Sequence, residues 1–164
     1  MKILGIDPSL RATGYGIIEQ DDQALKVIKY GVIKPSQKRP LLDKLHEIKT
    51  KIDSIIKAYD PDEIAIENLF YARNVKTAII LGQVRGAALI AVASNQCPLY
   101  EYSPLEIKKA VTGYGRADKN QVQSMIRTLL HIQEEKIEED ASDALAAAFC
   151  HLNSRIFLDK IKGT

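Results

Sequence analysis

Apolar residues along this chain recur with two different periods, and the period changes several times. Short apolar or alternating segments at residues 2–6, 14–18 and 23–33 predict three β-strands. Only a few turn residues separate these segments, whereas parallel neighbours need a crossover of a dozen residues or more. The first three strands are therefore expected to be antiparallel.

The middle of the chain alternates helices with further strands. After Pro40, apolar residues at helical spacing predict an amphipathic helix that ends at Tyr59-Asp60-Pro61. A buried strand is predicted at residues 63–67, a helix from Asn74 to about residue 95, and a fifth strand at residues 99–102. Helical crossovers between these strands predict that they are parallel.

The last third of the chain carries clear helix-start signals. Ser103 with Glu106, and Asp118 with Gln121, each have the spacing of a capping box, and a glycine-rich loop at residues 113–115 separates the two helices they begin. A final alanine-rich helix is predicted from about Glu138 to about Phe157. The pattern predicts an α/β fold, with a five-stranded mixed sheet flanked by helices.

Composition narrows the class of protein without identifying its function. The chain has 164 residues, of which 46% are hydrophobic, and this fits one domain spanning residues 1–164. A net charge of +2 is too small to indicate nucleic-acid binding, so any basic surface must be local. Cys97 and Cys150 lack metal-binding spacing and predict a reducing compartment. No signal or membrane-spanning segment is expected, which predicts a cytoplasmic protein without a membrane partner.

Four carboxylates lie beside apolar segments. Asp7 and Glu67 each end a predicted strand, while Asp140 and Asp143 stand three residues apart at the start of the last helix. Any one of them, taken alone, is more often a strand-end or capping acid. If the first and fourth strands are neighbours, the four form an oxygen-rich cluster suited to Mg²⁺ or Mn²⁺. Two such ions, about 4 Å apart, support in-line displacement at phosphorus, so the cluster predicts a phosphodiester nuclease.

Several motifs together resemble one known family. They are Gly5-Ile6-Asp7-Pro8 followed by Arg11 and residues 13–16, Ile66-Glu67 followed by Phe70, residues 83–87, residues 104–108, residues 113–119 and residues 140–146. Their order and content resemble RuvC, the bacterial Holliday-junction resolvase family of the ribonuclease H-like superfamily. The resemblance runs from Met1 to about His151.

The resemblance implies a role for each matching residue. Asp7, Glu67, Asp140 and Asp143 would be catalytic metal ligands for two Mg²⁺ ions per subunit, with Mn²⁺ able to substitute, and Lys119 would assist catalysis. Lys108 and Lys119 would contact phosphates, although lysines near a capped helix are usually only solvated. Phe70 would stack on an unpaired base near the junction centre, although an aromatic residue at such a place more often packs under a loop. Arg73, Lys76, Arg85 and Arg116 could add phosphate contacts, although each is more often an ordinary surface charge.

The resemblance also implies a homodimer, which matches the twofold symmetry of a four-way DNA junction. Small residues on the helix after Asn74, namely Gly82, Gly86, Ala87 and Ala88, could form the dimer contact or simply pack in the core. Other implied partners are the RuvA and RuvB branch-migration proteins. Two alternatives stay open, a YqgF-like RNA nuclease of the same fold and a non-catalytic junction-binding protein.

Overall fold

The structure, a computed structural model, describes residues 1–21, 24–68, 74–134 and 136–162, with side chains up to residue 157. The strands are β1 (Lys2–Asp7), β2 (Thr13–Gln20), β3 (Leu25–Ile33), β4 (Glu63–Glu67) and β5 (Leu99–Tyr102). The helices are α1 (Leu41–Tyr59), α2 (Val75–Ser94), α3 (Pro104–Thr112), α4 (Lys119–Leu129) and α5 (Glu139–Lys162). Every predicted element is present, and α5 continues beyond its predicted end at about Phe157.

The five strands form one mixed sheet in the order β3-β2-β1-β4-β5. β1 and β2, like β2 and β3, pair antiparallel, whereas β4 is parallel to both β1 and β5. The predicted meander and the predicted parallel strands are thus confirmed. Because Ile6 is paired with Ile66 in the parallel β1–β4 register, Asp7 and Glu67 leave the sheet at the same edge.

Helices cover both faces of the sheet. The packing of α1 and α2 forms one core with β-strand residues such as Leu4, Ile17 and Ile64. On the other face, α3, α4 and α5 form a second core that includes Ile3, Ile18 and Ala65. Successive strand residues point to opposite faces, so both sides of each central strand are apolar and buried.

Two glycines allow α5 to lie directly on the sheet. A Cβ atom at Gly5 would overlap the carbonyl oxygen of Ala144, and one at Gly14 would overlap the carbonyl oxygen of Asp140. Only a residue without a side chain fits at either position. This close approach brings the start of α5, with Asp140 and Asp143, to the edge where β1 and β4 end.

The expectation that no segment is long and apolar enough to span a membrane does not hold for α2. By length and composition alone, the 20 residues of α2 are long and apolar enough to cross a membrane. Four of its apolar side chains, those of Val84, Ala88, Ala91 and Val92, are instead buried in the core beneath α1.

The two cysteines differ from one another in burial, since Cys150 is buried and Cys97 is only half-buried.

Candidate active site

A pocket of about 310 Å³ opens at the edge where β1 and β4 end. Three acids line it, Asp7 from β1, Glu67 from β4 and Asp143 from α5. Its remaining walls come from α3, α4 and α5 and comprise Pro104, Ile107, Lys108, Lys119, Val122 and Ala146. A larger groove beside α1 carries none of the predicted site residues. Three of the four sequence-predicted acids and both predicted lysines therefore meet at one place in the fold.

Asp7 is the most deeply buried acid of the site, with 9% of its surface exposed. Burial, the largest cause, and the neighbouring carboxylates of Asp143, Glu67 and Asp140, in that order, together raise the pKa of Asp7 to about 8. Desolvation and like charges both disfavour ionisation of a carboxyl group. Lys119 acts in the opposite direction but does not offset these effects.

The other two lining acids share this environment. Burial raises the pKa of Glu67, and the charge of Asp143 adds to this, while Lys119 and Lys108 act in the opposite direction. Burial also raises the pKa of Asp143, against the hydrogen bond and charge of Lys119. Carboxyl groups with raised pKa values in a cleft are typical of functional sites.

Lys119, the first residue of α4, lies against the acids. Its ammonium group pairs with the carboxylate of Asp143 at 3.0 Å and also with that of Glu139. Burial lowers the pKa of Lys119, but these two partners more than reverse this and hold its pKa above the ordinary value. The capping box of Asp118 and Gln121 fixes the start of α4 and hence the position of Lys119.

The donor set fits a hard divalent cation. The acids that line the pocket offer carboxylate oxygens, and no histidine or cysteine stands beside them among its lining residues. Within residues 1–21, 24–68, 74–134 and 136–162, however, no three Asp, Glu, His or Cys side chains lie close enough to hold one ion together. Lys119 instead compensates part of the negative charge at Asp143.

The remaining predicted residues divide into three groups. Asp140 does not line the pocket, although its charge raises the pKa values of Asp7 and Asp143. Lys76 and Arg116 are exposed and are not among the residues that line the pocket. Phe70 and Arg73 lie outside the described residues. Of the predicted DNA contacts, Lys108 and Lys119 are those that the fold brings to the acids.

Comparisons with known proteins agree on one family. The family model described as "Crossover junction endodeoxyribonuclease RuvC" matches residues 3–151. RuvC of Alkaliphilus metalliredigens is 45% identical over 162 residues, 99% of each chain. RuvC of Halothermothrix orenii is 47% identical over 154 residues, 94% of this chain and 93% of that one.

The chain belongs to the RuvC family of crossover junction endodeoxyribonucleases.

Solved structures agree with this membership. Thermus thermophilus RuvC is similar with a TM-score of 0.86 at 28% identity, over 95% of this chain and 96% of that one. The same protein in complex with a Holliday junction substrate gives a TM-score of 0.88 at 28% identity and the same coverage. The yeast mitochondrial resolvase Ydc2, at 12% identity and a TM-score of 0.71, shares the fold. RuvC membership favours the resolvase over the YqgF-like alternative and makes this a soluble protein that acts on DNA.

Two side chains at this RuvC site have roles that the sequence did not predict. Glu139 holds Lys119 together with Asp143, and nothing in its position at the start of α5 distinguished it from a helix-start acid. Arg85 donates a hydrogen bond to the carbonyl oxygen of Glu67 and forms an ion pair with the carboxylate of Glu101. Its side chain is therefore mostly buried and does not extend as a surface charge. Its only sequence signal was its place in the motif at residues 83–87.

Proposed function

We propose that this protein is a metal-dependent endonuclease that resolves four-way (Holliday) DNA junctions by paired symmetric nicks. Each nick leaves a 5′-phosphate and a 3′-hydroxyl, and the reaction serves homologous recombination and DNA repair. The observation that carries the proposal is the pocket of three acids and two lysines at the adjoining ends of β1 and β4, in a chain of the RuvC family. The junction complex of the Thermus relative supports the choice of substrate.

The four acids Asp7, Glu67, Asp140 and Asp143 would hold two Mg²⁺ ions per subunit, with Mn²⁺ able to substitute. When bound, such ions activate the attacking water and stabilise the leaving oxygen. The raised pKa of Asp7 supports this assignment, because burial and the neighbouring carboxylates disfavour its ionised form and a bound cation would favour it. Divalent ions would supply that compensation and favour the ionised form of every acid in the pocket.

The two lysines of the pocket would act on the phosphate. Lys108, on α3, and Lys119, on α4, face the acids from the opposite wall, where their ammonium groups can donate hydrogen bonds to phosphate oxygens. Lys119 would also stabilise the negative charge that develops in the transition state. Ile107 and Val122 line the same pocket, and apolar side chains beside charged groups lower the local dielectric constant and strengthen electrostatic interactions.

Further DNA contacts complete the proposal. Lys76, in the first turn of α2, and Arg116, in the loop before α4, are exposed and free of ion pairs among the described residues, so either can reach a phosphate. For Phe70, as a base-stacking residue, and for Arg73 the support is the resemblance to the family alone.

A homodimer would present two equivalent sites to the two strands that are cut. Its proposed contact is the open face of α2, where Ile79 and Ile90 are 57% and 60% exposed. A Cβ atom at Gly82 or Gly86 would have no neighbour within 4 Å among the described atoms, so that face can receive another helix. The alanines at 87 and 88 pack in the core instead.

The dimer contact can be tested at Gly82. Gly82→Trp places a large side chain on the open face of α2 and should convert the protein to a monomer in sedimentation experiments. Thr50→Trp, on the exposed side of α1, is the matched control and should leave the dimer intact. An unchanged dimer in the Gly82 variant would place the contact elsewhere.

The activity itself is tested with a labelled synthetic four-way junction and a matched linear duplex, with and without Mg²⁺. Paired nicks confined to the junction, dependent on Mg²⁺ and lost in Asp7→Asn, are the expected result. Tight junction binding without any cleavage would favour a non-catalytic binding protein, and preferential cutting of RNA would favour the YqgF-like activity. Asp7→Asn should still bind the junction, because it removes one negative charge near the phosphates.

The proposed protein partners, compartment and domain organisation rest on the family resemblance. The proposed protein partners are the RuvA and RuvB branch-migration proteins, the proposed compartment is the cytoplasm, and residues 1–164 are proposed to form a single nuclease domain. Co-purification of the three proteins on a junction would test the partners directly.

A further inference from the structure

Arg85 lies on α2 and reaches across to the ends of two strands. Its Nη1 donates a hydrogen bond to the carbonyl oxygen of Glu67 at 2.8 Å. Its Nη2 pairs with the carboxylate of Glu101 on β5 at 2.7 Å. The side chain is only 18% exposed. Both terminal nitrogens of the guanidinium are therefore engaged within the protein.

The carbonyl that Arg85 binds belongs to the last residue of β4. The pairing of β1 with β4 ends one residue earlier, at Ile6 and Ile66. On the other side, Glu67 is paired with Tyr102, the neighbour of Glu101. Arg85 thus fixes the backbone of β4 just beyond its last contact with β1, at the residue whose carboxylate lines the acid pocket.

We infer that Arg85 is a positioning residue, which acts on the proposed metal site by holding the backbone of Glu67 through its hydrogen bond and its ion pair with Glu101. The inference rests on the proposed function, since Glu67 is there a metal ligand. A contact with DNA phosphate is disfavoured because the guanidinium is mostly buried and already has two acceptors. Residues that orient metal ligands commonly change metal affinity or activity by about 10- to 100-fold when they are replaced.

The test compares Arg85→Met and Arg85→Lys with the wild type. Arg39→Met is the matched control, because Arg39 also pairs with a glutamate, Glu47, but on α1. Thermal unfolding first establishes which variants are folded at the working temperature. Mn²⁺ binding is then measured by electron paramagnetic resonance without DNA, junction affinity in EDTA, and the single-turnover cleavage rate at saturating junction.

For Arg85→Met we expect a dissociation constant for Mn²⁺ about tenfold higher and a cleavage rate about 10- to 100-fold lower. Junction affinity should stay within about twofold, and raising Mg²⁺ should restore part of the rate. Arg85→Lys keeps a positive charge and a single donor nitrogen and should recover part of both losses, which also covers the case in which the methionine variant does not fold. The Arg39 control should match the wild type in every measurement.

A double variant separates positioning from a general structural effect. If Arg85 acts through Glu67, adding Arg85→Met to Glu67→Gln should change Mn²⁺ affinity no further than Glu67→Gln alone. Unchanged Mn²⁺ binding and cleavage in a folded variant would overturn the inference, as would a defect confined to junction affinity, which would indicate a phosphate contact. Failure of the wild type to cleave any junction would refute the proposed function, while the Mn²⁺ titrations would still decide the role of Arg85.

Discussion

Replacing the buried acid at the centre of the pocket should stabilise the metal-free protein while abolishing cleavage. Asp7→Asn keeps the size of the side chain but removes its charge. In the wild type, burial and three neighbouring carboxylates raise the pKa of Asp7 from 3.8 to about 8. The folded protein therefore retains a proton that the unfolded chain releases across this interval. Wild-type stability must fall as the pH rises from about 4 to about 8, where the variant has no such loss.

The size of the effect follows from the pKa. A change of one in pKa corresponds to about 1.4 kcal/mol, so the cost of ionising Asp7 in the folded protein reaches about 5 kcal/mol above pH 8. At pH 5 the carboxyl group stays protonated in the folded protein but is mostly ionised in the unfolded chain, so the loss of wild-type stability is about 1–2 kcal/mol. The asparagine amide is itself polar and buried, which lowers the gain equally at both pH values and cancels in their difference. We expect Asp7→Asn to gain about 2–4 kcal/mol more at pH 8.5 than at pH 5.

The assay is thermal or urea unfolding in EDTA at pH 5 and pH 8.5. A gain of this size raises the melting temperature by about 5–10 °C for a chain of this length. Asp53→Asn is the matched control, because the pKa of Asp53 is lowered by hydrogen bonds from Lys57 and Asn95, and its replacement should not stabilise the protein at either pH. Added Mg²⁺ should stabilise the wild type and have little effect on the Asp7 variant.

Two results would refute this reasoning. A metal-free Asp7→Asn protein that is less stable than the wild type at pH 8.5 would mean that the carboxylate is compensated by contacts within the fold. A gain that is the same at both pH values would mean that the effect does not come from ionisation of Asp7. Full cleavage activity in the variant would remove Asp7 from the proposed metal site altogether.

Three further substitutions test other parts of the structure. Gly14→Ala should destabilise the protein by more than about 2 kcal/mol in urea unfolding, because its Cβ would overlap the carbonyl oxygen of Asp140; an unchanged midpoint would contradict the close packing of α5. Tyr102→Phe should cost about 1–3 kcal/mol, since it removes the hydroxyl 2.7 Å from Nδ1 of the fully buried His151; a neutral result would mean that water or another group replaces it. Lys119→Met should tighten Mn²⁺ binding in paramagnetic resonance titrations yet slow cleavage at least tenfold, and weaker Mn²⁺ binding would show that the lysine does not compete with the metal.

The sequence predicted the fold well because the apolar pattern is strong and the helix starts carry their own signals. Both predicted capping boxes are formed, at Ser103 and at Asp118. The short connections between the first three strands allowed only an antiparallel arrangement, which is what the sheet contains. By contrast, the sequence has no stop signal near Phe157, and α5 continues to Lys162, which Gly163 follows in the sequence.

The sequence predicted which acids belong to the site better than it predicted how those acids are arranged in space. A strand that ends in Asp7 and another that ends in Glu67 meet at one edge only because β1 and β4 are parallel neighbours, and a sequence pattern does not encode that pairing directly. The separate positions of Asp140 and Asp143 relative to the pocket depend on where α5 crosses the sheet. That crossing is fixed by the close contacts at Gly5 and Gly14. A glycine in a strand does not by itself indicate which element packs against it.

The same packing explains why charge at this site is left uncompensated. α5 can approach the sheet only along a strip of small residues, and this approach buries Asp7 under the helix that also carries Asp140 and Asp143. Folding thus gathers like charges in a partly buried pocket, against the ordinary preference for paired or solvated acids. Lys119 offsets part of the repulsion, but its ammonium group is shared with Glu139 and does not prevent the pKa of Asp7 from rising to about 8. Bound divalent cations would relieve this repulsion and favour the ionised carboxylates. Replacing Asp7, Glu67 or Asp143 by the corresponding amide should therefore raise stability without metal and weaken metal binding.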